Sequence, residues 1–296
     1  RNSRERRLMD SIIVVLAGGM SSRMKQTVDR AKGLDGNLLR DAMEKAKAMI
    51  GVGPGARPFL DFCLLNIAAA GYTEVVIVTG ERDSSITEYY ETQRHARDFP
   101  SLGISYVVQR IPPGREKPLG TADALLSVMA ARRGWRGRKF TVCNSDNLYS
   151  VGAMRSLLAD THPNALMNYD RDALGFPPER TSQFAVITTD PAGFVRDIIE
   201  KPGSADIASA ADGNGRVGVS MNIFRFSYDD ILPYLESVPL HPERNEKELP
   251  VAVRIMASER PGSVYAIPVS ERVPDLTQMA DIPEVRKYLA DRDTGQ

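Results

Sequence analysis

The sequence predicts an α/β fold: a doubly wound, mostly parallel Rossmann-like sheet with a smaller mixed-sheet portion. Three observations predict it. Short continuous β-branched runs have the composition of strands buried on both faces, stretches of helical apolar spacing separate them, and this alternation weakens after residue 149. Residues 11–16 (SIIVVL) form the first such run and lead straight into Ala17, Gly18 and Gly19. Residues 59–70 (FLDFCLLNIAAA) carry helical spacing and stop at Gly71. A second buried strand is expected at 74–79, a short helix at 84–90, a strand at 104–109, a helix at 121–132 and a strand at 140–144. Beyond Tyr149, residues 183–189, 194–199 and 217–226 read as strands of a mixed or antiparallel portion. Residues 263–268 add one more strand, and 282–290 a closing helix. A single domain over 1–296 is expected, with halves at 11–150 and 151–296.

Composition narrows the function classes. The 38 basic residues equal the 38 acidic ones, so no global field exists to hold nucleic acid, and any bound anion must be gripped locally. No apolar run approaches the roughly 20 residues of a membrane span. Cys63 and Cys143 each lie in an apolar run and read as buried free thiols of a reducing, cytoplasmic setting. The basic stretch 1–7 is followed by too short an apolar run for a cleavable signal. His95, His162 and His241 match no motif and are expected at the surface.

In open α/β sheets, ligands sit outside the carboxyl ends of the strands. That rule singles out residues 17–23, 109–123 and 145–147. In L-A-G-G-M-S-S-R-M (16–24), Leu16, Ala17, Gly18 and Gly19 let the backbone approach an anion, while Ser21, Ser22 and Arg23 add hydroxyl donors and a forked cation suited to phosphate. The plain alternative is an ordinary strand-to-helix turn. The spacing is neither a Walker loop nor a dinucleotide fingerprint. Gln109 followed by Gly120, Thr121, Ala122, Asp123 pairs an amide, one donor and one acceptor, with a glycine that frees the backbone beside it. This matches a uracil or thymine edge. Without a ligand, the same stretch is a helix start capped by Thr121. Asp146, at the carboxyl end of a strand, suits Mg²⁺, a hard cation, or else caps a turn.

Taken in order, these motifs resemble those of the sugar-1-phosphate nucleotidyltransferases, typified by glucose-1-phosphate thymidylyl- and uridylyltransferases with their glycosyltransferase-A-like fold. Residues 47–59 (KAMIGVGPGARPF) resemble the family's P-K-x-[ML]-x-P-V-x-x-[KR]-P stretch, with Ala46 for its proline. The resemblance implies that Lys47 contacts phosphates, with Lys45 or Lys32 as alternatives because the chain after Arg23 is longer than usual. That extra piece, 26–44, has helical spacing at Leu34, Leu38, Leu39 and Met43 and reads as a lid, an oligomer contact or a peripheral insertion. Residues 141–149 (TVCNSDNLY) are similar to the family's strand ending in G-D-N. D-I-I-E-K-P (197–202) matches its E-K-P, which implies that Glu200 accepts sugar hydroxyls and Lys201 reaches the sugar phosphate; alone it is an exposed ion pair before a turn. Asn147 and Asn222 complete the implied sugar side. Family members use the glutamine and glycine for a pyrimidine, which favours UTP or dTTP over GTP.

Two departures stand out. V-S-M-N-I-F-R-F (219–226) resembles the sugar-binding strand but has Ser220 for asparagine and Asn222 for glycine. E-K-E-L-P-V-A-V (246–253) has Val251 in an aspartate position, and valine cannot bind Mg²⁺. Glu246, Glu248 or Asp275 must then supply the second metal carboxylate. Asp275 is the first choice because the family's late W-D-I-G-T-P motif falls there.

The resemblance thus implies an enzyme that joins a nucleoside triphosphate to a sugar-1-phosphate with Mg²⁺ and releases pyrophosphate. Arg23, Lys47, Asp146 and Lys201 would be catalytic, and Asp146 and Asp275 metal-binding. Neither nucleic acid nor membrane is expected as a partner, and a homo-oligomer is compatible. Val251 motivates one alternative, a nucleotide-sugar-binding regulator that has lost catalysis. A transferase acting on a non-sugar acceptor is another.

Overall fold

The computed structural model describes residues 10–19, 36, 38, 40 and 44–293. Strand β1 (Ile12–Leu16) lies in the middle, paired in parallel with β2 (Glu74–Gly80) on one side and β4 (Lys139–Asn144) on the other, while β3 (Gly103–Gln109) extends the parallel sheet beyond β2. The run IIVVL is apolar throughout because both sheet faces are covered. Ile13 and Val15 enter one core, Ile12 and Val14 the other. Helices α1 (Phe59–Ala70) and α3 (Val151–Ala159) pack into the first core. Helices α2 (Thr121–Ala131), α5 (Tyr228–Ser237) and α6 (Leu249–Glu259) pack into the second. Helices on both faces make the sheet doubly wound, as the alternation predicts.

The second half joins the same sheet. Strand β8 (Gly218–Ser227) runs antiparallel between β4 and β5 (Ala165–Asp170), and β5 pairs in parallel with β9 (Tyr265–Val269). Strands β6 (Val186–Thr189) and β7 (Val195–Ile199) form an antiparallel pair that touches β8 at Val186–Val219. Helix α4 (Ser204–Ala210) follows β7, and α7 (Ile282–Asp293) closes the chain.

Some local expectations change. The short helix expected at 84–90 is a single turn at Ser85–Thr87 passing into a π-helical Glu88–Thr92, and residues 183–185 precede β6 rather than belonging to it. Thr121 does not cap α2. The N-cap is Gly120, and the Thr121 hydroxyl instead accepts from the Leu249 N–H at 2.9 Å. The histidines are half-buried rather than superficial: His162 stacks on Tyr265, and His241 Nδ1 accepts the Glu243 and Arg244 backbone N–H groups at 3.2 Å. Of the insertion 26–44, only residues 36, 38, 40 and 44 are described, and Leu38 is buried in the first core. Among the described residues, no helix is long and apolar enough to cross a membrane. Cys63 and Cys143 are buried free thiols, and burial pushes both pKa values up.

Candidate active site

The carboxyl ends of β1, β3 and β4 open onto a cleft of about 380 Å³. The turn after β1 brings Leu16, Ala17, Gly18 and Gly19 to its wall. At Gly18 an added Cβ would meet the backbone of Thr79 and Gly80 at 3.3 Å, so the turn after β1 packs tightly against the end of β2. Ser21, Ser22 and Arg23 lie outside the described residues, as does Lys32.

Lys47 and Asp146, 99 residues apart, meet in this cleft. Their Nζ and Oδ2 atoms are 2.7 Å apart, with both side chains about one-fifth exposed. Lys47 sits in a 3-10 turn whose Ala48 and Met49 are buried, so the backbone beneath it is anchored. Lys45 borders an adjoining recess with Gly80 and Glu81. Asp275 arrives from the other end of the chain. The Leu148 N–H donates to the Pro274 carbonyl at 2.9 Å and the Leu276 N–H to the Asp146 carbonyl at 2.8 Å, stitching 274–276 along 146–148. Burial, then the charge of Asp146, push the Asp275 carboxyl up to about 6, while Thr277 and Arg180 pull the other way. Asp146 and Asp275, whose charges act on one another, offer carboxylate oxygens of the kind a divalent hard cation takes, with Lys47 and Arg180 each already paired to one of them. Val251 faces the second core from α6, far from any such role.

At the base end, Gln109 is 3% exposed. Its Nε2 donates to the Gly120 carbonyl and to Asp123 Oδ2, both at 2.9 Å. Both donor hydrogens are therefore spent inside the protein, and the amide has only its oxygen left for a ligand. The two-sided pairing expected of this glutamine gives way to a one-sided acceptor. Gly120 has φ 108°, and an added Cβ would lie 2.5 Å from the Lys247 carbonyl. Only glycine fits there. Segment 246–249 clasps this loop: the Lys247 N–H donates to the Leu119 carbonyl at 2.6 Å, and the Ala122 N–H to the Lys247 carbonyl at 3.0 Å.

The cleft continues into a second space of about 640 Å³, sharing Thr121, Asn144, Glu246 and Thr277 with the first. Glu200, Lys201 and Asn222 line it, as do Arg180 and Arg244. Lys201 is 65% exposed, with its nearest carboxylate, Glu243, at 3.9 Å. Asn147 lines neither space. It is 5% exposed and donates through Nδ2 to Asp275 Oδ2 at 3.1 Å, which makes it a support for the aspartate instead of a sugar contact.

Glu200, His241 and Glu248 bring donor atoms within 4.8 Å of one another. A cation already stands among them. Arg244 Nη2 donates to Glu200 Oε2 at 2.8 Å and to Glu248 Oε2 at 2.7 Å. Arg180, Arg244 and Lys117 are residues the sequence reading did not single out, and Asp123 stands in its motif without a role. Lys117 and Asp123 do fall in the loop 109–123 that the strand-end rule marks. Arg180 carries no local signal, since its partners are about a hundred residues away.

Glucose-1-phosphate adenylyltransferase 2 of Vibrio parahaemolyticus is 25% identical over 229 residues, which cover 75% of this chain and 50% of that protein. The glucose-1-phosphate adenylyltransferase of Koribacter versatilis is 25% identical over 236 residues, covering 77% and 51%. The chain spans about half the length of the curated relatives it matches. A crystal structure of UDP-glucose pyrophosphorylase complexed with UDP-glucose has the same fold, with a TM-score of 0.68 and 18% identity over 95% of this chain and 98% of that one. Residues 41–253, which include Lys47, Gln109, Asp146 and Glu200, match the family model described as nucleotidyl transferase. With well over half of its length matched, the chain belongs to the nucleotidyl transferase family.

Proposed function

We propose that the chain transfers a nucleotidyl group from a nucleoside triphosphate to a sugar-1-phosphate. The observation that carries this reading is a pair of adjoining spaces with shared lining, the first holding the Lys47–Asp146 pair with Gln109 and Gly120, the second bearing Glu200, Lys201 and Asn222. A sugar phosphate oxygen attacks the α-phosphorus, an O–P bond forms, the Pα–O–Pβ bond breaks, and pyrophosphate departs. The attacking phosphate is already ionised, so positioning and charge stabilisation suffice. Lys47 neutralises phosphate oxygens, and Arg23, outside the described residues, is the second cation assigned to them. Lys201 steers the acceptor phosphate, and Glu200 and Asn222 take the sugar hydroxyls. Asp146 and Asp275 would hold Mg²⁺, which supplies charge neutralisation on the phosphates when bound.

The base preference widens. An acceptor-only Gln109 suits the imide N–H of uracil or thymine and the amino group of adenine alike, and the relatives above are named for adenylyl transfer to glucose 1-phosphate. ATP therefore joins UTP and dTTP as donor. The regulator reading is motivated by Val251; Asp275, whose carboxyl feels the charge of Asp146, supports the enzyme reading instead. The test is a matrix of four nucleoside triphosphates against common sugar-1-phosphates, including glucose 1-phosphate, read by pyrophosphate release with Mg²⁺. Release with at least one pair is expected. None with any pair, alongside measurable nucleotide binding, would return the regulator to first place.

A further inference from the structure

Arg180 occupies a helical turn, Pro178–Thr181, on the loop that lines the acceptor space. Its guanidinium is held on several sides. Nη1 donates to Asp281 Oδ1 at 2.6 Å, Nη2 donates to Asp275 Oδ1 at 2.8 Å, and the Phe176 ring lies 4.6 Å beneath Cζ. Asp281 is itself fixed: it is buried, and its Oδ2 accepts the Thr277 and Gln278 backbone N–H groups at 2.9 and 2.8 Å. Nothing in the proposed reaction uses Asp281. Its partners make it a backstop for Arg180.

The consequence falls on Asp275. A carboxylate offers about four acceptor positions, two on each oxygen. Oδ1 takes Arg180 and the Thr277 hydroxyl, so both of its positions are filled. Among the described residues Oδ2 takes only Asn147 Nδ2, at 3.1 Å, which leaves one of its positions open to a ligand. We propose that Arg180 is a positioning residue that fixes the Asp275 carboxylate with a single open lone pair on Oδ2, making it a one-oxygen metal ligand whose aim is set from the acceptor loop. The proposal rests on the reading of Asp275 as a metal carboxylate. It needs arginine in particular, because one planar fork reaches two aspartates at once, whereas an ammonium is a point charge without that geometry. Partners that orient a metal ligand typically govern 10–100-fold of metal affinity.

The test measures Mn²⁺ affinity by electron paramagnetic resonance on the full chain without nucleotide, for wild type, Arg180→Lys, Arg180→Ala and Asp275→Asn. Affinity for metal-free ATP and UTP and a thermal melt accompany each. Arg180→Lys should weaken Mn²⁺ by about 10-fold and Arg180→Ala by up to about 100-fold, with metal-free nucleotide affinity within twofold of wild type. The lysine variant keeps the charge at this half-buried position and so reads the geometry even where alanine fails to fold. If Asp275→Asn loses Mn²⁺ while both Arg180 variants stay within twofold of wild type, the positioning role is overturned and the metal reading stands. If Asp275→Asn itself binds Mn²⁺ like wild type, the metal reading falls and the proposal with it. A parallel loss of nucleotide affinity in Arg180→Lys would mark a general structural role and also overturn the proposal.

Discussion

The two ends of the cleft are built from different materials. The nucleotide end is backbone: Gly18 abuts the Thr79–Gly80 backbone, Gly120 abuts the Lys247 carbonyl, and Gln109 is buried with its amide nitrogen fully engaged. The acceptor end is long charged side chains neutralising one another, with Arg244 between Glu200 and Glu248 and Lys201 largely exposed. Backbone walls cannot be altered by substitution without strain, whereas exposed ion pairs of this kind are worth only about 0–1 kcal/mol and rearrange readily. Under the proposed function, the nucleotide end would tolerate little substitution, and the acceptor end could be retuned.

The largest expected effect lies where the two ends meet. Asp146→Asn should cut turnover by about 10²–10³-fold, the usual cost of removing a central electrostatic group, while nucleotide affinity changes little; single-turnover pyrophosphate release and equilibrium binding check both. Near-wild-type turnover would remove the distinction between a reacting centre and its two walls.

The next effect concerns pH. With the Asp275 carboxyl pushed up to about 6, its proton competes with a metal ion, so Mn²⁺ affinity should fall by up to about tenfold per pH unit below 6, and whatever weak Mn²⁺ binding Asp275→Asn retains should lack this dependence. The sign for stability is separate. The folded chain holds this proton more tightly than the unfolded one, so metal-free stability declines as pH rises from about 4 to about 6. Denaturant melts across that window measure it, with added metal opposing the decline.

At the nucleotide wall, Gly120→Ala should cost about 1–3 kcal/mol of stability through its positive φ and the contact with Lys247, and it should raise KM for the nucleoside triphosphate. At the acceptor wall, Arg244→Gln should leave thermal stability nearly unchanged and raise KM for the sugar-1-phosphate alone. Equal effects of these two changes on both substrates would erase the contrast between the walls.

The same contrast explains what could be read in the sequence. Strands β1, β2 and β4 are legible because a strand covered on both faces is an unbroken apolar run, and Gly18 follows the end of β1 by two residues while Gly120 opens a helix. Strand β5 (ALMNYD) is a buried run interrupted by Asn168, and helix α5, though its buried Tyr228, Ile231 and Leu235 recur at helical spacing, carries Pro233 inside it. Lys47 and Asp146 could be marked individually, but their contact depends on the buried 3-10 turn at 47–49 packing against α1, which no local pattern announces. The resemblance of 141–149 to a strand ending in G-D-N implies a sugar contact at Asn147, yet its buried side chain donates to Asp275. Arg180 and Asp281 are invisible locally because their meaning lies in a meeting across 101 residues.

The clasp of residues 246–249 on the loop 119–122 bears on how such chains can be recombined. Exchanging everything after residue 150 for the corresponding half of a relative would also exchange Lys247 and Leu249, whose backbone groups hold Leu119, Thr121 and Ala122 in place. A hybrid meant to change only the acceptor would then loosen its grip on the nucleotide. The seam that leaves the donor site intact runs through the cleft itself, and a grafted second half would have to bring the matching 119–122 loop with it.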